Sequence, residues 1–131
     1  MVQSPNLDPV LSWLKSQSQE MLELAKQWSA INSYSYHLEG LESQRRALKE
    51  VFGTLGELTE VVLPPFKKVD PDTGILKEQP LGKALSIRKR PEAKFQILFS
   101  GHMDTVFGPE HPFQDVSLLQ NGCIINHRLW I

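Results

Sequence analysis

The chain has 131 residues, of which 40% are hydrophobic and 22% charged. That is the composition of one ordinary globular domain with a core; it excludes a disordered polymer and leaves no room for a second full domain. Fourteen Lys and Arg against fifteen Asp and Glu give a net charge of −1, which excludes a global field drawing the protein onto nucleic acid or an anionic membrane.

From Asp8 to about Trp28, Val10, Leu11, Leu14, Met21, Leu22, Ala25 and Trp28 recur at three- and four-residue spacings, which predicts an amphipathic helix. Asn6 or Asp8 suits its cap, Pro9 its first position, and Lys15 and Lys26 its wet face. Asn32-Ser33-Tyr34-Ser35 carries turn chemistry, and Tyr34 and Tyr36 either anchor the connection or stack on a ligand. Leu38, Leu41, Leu48, Val51, Phe52 and Leu55 predict a second helix from about Leu38 to Thr54. Gly53 and Gly56 suit its end, where glycine accepts a positive φ.

Glu57 to Leu63 is a short β-branched run stopped by Pro64-Pro65 and reads as a strand. Asp70-Pro71-Asp72-Thr73-Gly74 is a turn signal, and Gly82 to Lys89 alternates as a second strand. Arg88, Lys89 and Arg90, directly before Pro91, read as a solvated strand end, with a phosphate-binding patch as the alternative. Phe95 to Phe99 is nearly all apolar and ends in Ser100-Gly101-His102, the pattern of a buried central strand delivering polar residues at its C-terminal edge. Asp115 to Ile125 reads as a hairpin arm turning at Asn121-Gly122. The expected fold class is α/β, with the N-terminal helices packed on an incomplete mixed β-sheet.

Cys123 is the single cysteine, so an internal disulfide and a Cys-x-x-Cys metal site are both excluded. Neither a basic and apolar leader at Met1 nor an apolar run near the ~18 residues of a membrane span is present, and a cytoplasmic location is expected.

Ser100-Gly101-His102-Met103-Asp104-Thr105-Val106 is the segment that carries chemistry. A neutral imidazole is a good zinc ligand, and a carboxylate two residues on can take the other ring N–H, fix the tautomer and make the ligating nitrogen more basic. On spacing alone His102 and Asp104 fit a metal site and a structural histidine alike. His111 and His127 are weaker metal candidates, and His37 reads as a surface or capping residue at the second helix.

The string from Leu98 to Val106 resembles the first metal motif of the zinc-dependent peptidase and aminoacylase superfamily of glutamate carboxypeptidase, acetylornithine deacetylase and succinyl-diaminopimelate desuccinylase. Trp28 to Asn32 is similar to that family's early helix-to-loop segment, Leu81-Gly82-Lys83-Ala84-Leu85 to the strand before the motif, and Pro109 to Phe113 to the loop after it. The resemblance covers the chain to about Gly122. It implies that His102 is a ligand to one of two zinc ions and that Asp104 orients it in the catalytic site. The substrate it implies is a small acyl amino acid or peptide, cleaved at an amide bond next to a free carboxylate. Nucleic acid and membrane are not implied partners.

The family's later bridging aspartate, paired glutamates and remaining ligands have no counterpart in this sequence. Residues 1–131 are therefore expected to be a truncated N-terminal part of such a catalytic domain, itself inactive and not stably holding zinc. The alternative is a non-catalytic folded remnant or interaction module. The tail 123–131 reads as frameshifted, since one codon choice for His127 to Ile131 with a stop reads Pro-Val-Met-Asp-Met when shifted by two bases. A strand edge and apolar face left open predict self-association, as a homodimer or larger, or a marginal monomer.

Overall fold

The computed structural model describes residues 6–112, 114, 117–118 and 124–125. The architecture is mixed α and β: helices α1 (Asp8–Ser16), α2 (Ser18–Ser29) and α3 (Leu38–Phe52), the last continued by a 3-10 turn over Gly53–Leu55. Strands β1 (Glu57–Val61), β2 (Phe66–Val69), β3 (Leu76–Gln79), β4 (Ala84–Arg88), β5 (Ser117–Leu118) and β6 (Ile124–Ile125) follow.

The first predicted helix is interrupted at Gln17, whose backbone N–H reaches the carbonyls of both Trp13 and Leu14. Asn6 contributes at the start, its Oδ1 accepting the Asp8 N–H at 3.0 Å, and Pro9 sits in the first turn where a missing N–H is harmless. Neither α1 nor α2 buries a residue fully. Trp28 meets Phe52 at 5.8 Å between ring centroids, joining the end of α2 to the end of α3.

The helix α3 matches its predicted span and carries the core. Leu41 is the buried apolar side chain among the described residues, and Gly82, just before β4, lies against it closely enough that a β-carbon there would stand 3.2 Å from the leucine. Among the described residues the core expected from composition is thus small, because each sheet has only two strands. Gly53 and Gly56 do not supply the expected positive φ: their values are −60° and 178°. Gly56 is required for a different reason, since a β-carbon there would stand 2.3 Å from the Arg88 carbonyl oxygen where β4 ends.

In place of one mixed sheet, the described strands form separate antiparallel pairs, β1 with β4, β2 with β3, and β5 with β6. The first pairs Glu57 with Arg88 through Val61 with Ala84. Its alternation turns Leu58 and Glu60 inward. Glu60 is tolerated there because Arg45 and Lys49 of α3, together with Lys83, converge on its carboxylate, with Lys49 Nζ at 2.8 Å. Arg45, itself buried, also holds Glu42 one turn earlier, so α3 and β1 are joined by charge where apolar area is scarce. The second pair forms a hairpin that the sequence reading did not anticipate, closed at the predicted Asp70 turn. There Asp70 Oδ1 accepts the Asp72 and Thr73 N–H groups at 3.0 Å, and Gly74 takes φ 69°. The third agrees with the predicted hairpin arm, whose turn at Asn121-Gly122 lies outside the described residues, as do Cys123 and His127.

The largest departure concerns Phe95 to Phe99. The expected buried central strand is an irregular, unpaired segment in which Phe95, Ile97, Leu98 and Phe99 are between 80% and 90% exposed. An apolar run becomes a strand only when a neighbouring edge completes its ladder. No strand pairs with it among the described residues. Arg88 ends β4 and Arg90 takes φ 50° before the turn at Pro91, in line with a solvated strand end. No helix among the described residues is long and apolar enough to cross a membrane.

Candidate functional site at the His102 loop

Two segments far apart in sequence build the site. One is the connection between α2 and α3, residues 30–37; the other is the loop after the apolar run, residues 100–108. They are stitched together at three successive points. The Thr105 N–H donates to the Ser33 carbonyl at 3.0 Å, Tyr34 forms a parallel bridge with Thr105, and the Ser33 hydroxyl donates to the Met103 carbonyl at 2.8 Å. Ser33 is only 1% exposed, so its hydroxyl and carbonyl meet their partners away from water, where such bonds are hardest to break.

Further bonds hold this seam from both ends. Asn32 Nδ2 donates to Gln114 Oε1 at 2.7 Å and to the Phe107 carbonyl at 3.3 Å, while Gln114 Nε2 donates to the carbonyls of Gly108 and His111. His37, at the start of α3, makes no side-chain cap. Its Nδ1 lies 2.9 Å from the Asn32 carbonyl, an acceptor, so that nitrogen carries the proton and ties the helix start back to the seam. Tyr34 and Tyr36 meet edge to face at 5.4 Å, and Tyr34 also carries the bridge to Thr105, which is the anchoring arrangement of the two sequence alternatives. The His111 ring stacks on Phe107 at 4.3 Å between centroids.

At the centre, His102 and Asp104 come together as their spacing suggested. His102 Nδ1 lies 3.0 Å from Asp104 Oδ1 and 2.9 Å from the Asp104 carbonyl oxygen. Both neighbours accept and neither donates, so Nδ1 carries a proton, and in the neutral ring the lone pair is on Nε2. The imidazole is 84% exposed, leaving that lone pair open to an incoming ligand. His102 stands in a loop and not at the edge of a buried sheet, because the segment before it is not paired.

Ser35 completes the arrangement: its hydroxyl donates to Asp104 Oδ2 at 2.5 Å. That bond holds the Asp104 carboxyl below its ordinary value, against partial burial and with help from His102. Sequence reading took residues 32–35 as a turn and missed this contact. The local sequence carries no signal for it, because Ser35 and Tyr36 lie in a turn closed by the His37 N–H on the Tyr34 carbonyl and the partner is 69 residues away.

The donor set fits a zinc ion at one position, since a neutral imidazole with its second nitrogen bonded to a carboxylate is the form in which histidine ligates best. Among the described residues no three His, Cys, Asp or Glu side chains gather as a metal-binding group. No family model, no curated protein and no solved structure matches this chain.

Proposed function

We propose that this chain is the N-terminal part of a two-zinc metallohydrolase that cleaves amide bonds next to a free carboxylate, as in N-acyl amino acids or peptides ending in glutamate. The observation that carries the reading is the His102 ring, fixed at Nδ1 by Asp104 with Nε2 open, on a Gly-His-Met-Asp-Thr-Val string that resembles that family's first metal motif. Zinc, when bound in such enzymes, polarises the scissile carbonyl and activates water. The part of this chain is to offer His102 Nε2 as one ligand, with Asp104 keeping the opposite nitrogen protonated and the ring oriented. A single imidazole is far short of the three or four ligands a zinc site uses, so the chain alone is inactive in this reading and works in a cytoplasmic enzyme only with residues beyond it.

A second reading is that of a non-catalytic interaction module, favoured by the exposed apolar run at Phe95 to Phe99. A zinc titration followed at the histidine side chains, run beside a hydrolysis assay on N-acyl amino acids, tests both. Weak zinc binding centred on His102 with no turnover is expected. Absence of any zinc effect at His102 removes the metallohydrolase reading, and turnover that His102→Ala abolishes removes the claim that the chain is inactive alone.

A further inference from the structure

We propose that Ser35 is a positioning residue for His102, its hydroxyl fixing the Asp104 carboxylate so that the imidazole is held as the Nδ1–H tautomer with Nε2 facing out. The metal-directed consequence rests on the function proposed above; the tautomer itself does not.

A carboxylate on a surface loop turns freely about its last bond, and a turn of Asp104 would take Oδ1 away from the ring. Here Oδ2 is occupied by the Ser35 hydroxyl at 2.5 Å while Oδ1 faces His102 Nδ1 at 3.0 Å, so one hydrogen bond sets the direction of the other. The serine itself has little freedom. It follows directly on Ser33 and Tyr34, which are bonded to Met103 and Thr105, the residues on either side of Asp104. Backbone pairing therefore delivers a hydroxyl to the carboxylate from a segment 69 residues away. A short bond between an alcohol and an ionised carboxylate is among the stronger neutral-to-charged contacts. The Asp104 carbonyl also faces Nδ1, at 2.9 Å, and would remain after loss of the serine hydroxyl. The effect expected on removing Ser35 is thus a mixture of tautomers, not full inversion, because a free neutral imidazole prefers the proton on Nε2.

Nitrogen-15 spectra of the histidine side chains in the full chain test this, at about pH 8 where histidine is neutral. His102 is assigned by comparison with His102→Gln. The decisive pair is Ser35→Thr and Ser35→Val, which share shape and differ in the hydroxyl, so any effect of a branched side chain on the loop is common to both; Ser35→Ala is the third variant. Wild type and Ser35→Thr are expected to show His102 as the Nδ1–H form, and Ser35→Val and Ser35→Ala to show substantial Nε2–H. An Nδ1–H signal unchanged in Ser35→Val overturns the proposal.

Zinc added to the same samples provides the second readout. The apparent affinity at His102 should fall about tenfold or more in Ser35→Val relative to Ser35→Thr, the scale on which partners of metal ligands act. Equal affinity in the two overturns the role of Ser35 toward the metal. Zinc silent at His102 in every sample, with the tautomer shift intact, removes the metallohydrolase reading and leaves the positioning role standing.

Discussion

Gly40 lies so close beneath Asn32 that a β-carbon added to it would stand 1.8 Å from the Asn32 carbonyl oxygen. That carbonyl also faces His37 Nδ1, and Asn32 opens the segment that seams onto the His102 loop, so the first turn of α3 and the site are packed through one backbone contact. Gly40→Ala gains the better helix propensity of alanine, about 1 kcal/mol, but forces apart two backbones that have no flexible side chain to yield. Overpacking of this kind costs about 1–3 kcal/mol, so a net loss is expected in urea unfolding, with faster amide exchange at Thr105.

Acid should unfold the protein over a defined window. Arg45 and Arg46 hold the Glu42 carboxyl down to about 2, and Lys77 with the Thr73 and Asp72 backbone holds Asp70 down to about 2. Glu60 is lowered too, by Lys49 first and then Arg45. A carboxyl whose folded value lies below its unfolded one stabilises the fold at pH above the unfolded value and loses that contribution as pH falls toward the folded one. The thermal midpoint is therefore expected to be level from neutral pH down to about 5 and to fall between about 4.5 and 2. Glu42→Gln should flatten part of that fall, and added salt should weaken it, since these pairs stand partly in water. A midpoint that holds steady to pH 2 would contradict these pairings.

The run from Phe95 to Phe99 should govern association. Ile97 and Phe99 are 80% and 90% exposed, so Ile97→Lys with Phe99→Lys is expected to leave circular dichroism unchanged and to alter stability by no more than about 0.5 kcal/mol. Sedimentation velocity should show smaller species than wild type at equal concentration, because charge interrupts an exposed strand-forming stretch. Identical sedimentation of the two proteins would place self-association elsewhere.

Local pattern was legible where local forces decide. The helix α3 follows from its apolar spacing, the Asp70 turn from its Asp, Pro and Gly residues, β1 from a β-branched run stopped by proline, and β4 from alternation. The hairpin of β2 and β3 escaped notice because its strands are four residues long and mostly exposed, leaving no alternation to read. Phe95 to Phe99 was misread for the opposite reason: its composition is that of a strand, yet pairing is a property of two segments. At the site, His102 and Asp104 declared themselves through a spacing of two. Ser35 did not, since nothing in a sequence window joins residues 69 apart.

The seam between Tyr34 and Thr105 encloses the hairpin tip at Gly74, so the chain leaves the site, turns at an exposed point and comes back. A peptide bond cut at that tip would not release either half. The ladders of β1 with β4 and of β2 with β3 both cross the cut, as do the bonds from Ser33 and Ser35 to the His102 loop. The protein is in that sense already two interleaved pieces, one carrying the helices and Ser35, the other carrying His102 and Asp104, held by contacts that owe nothing to the covalent link at the tip.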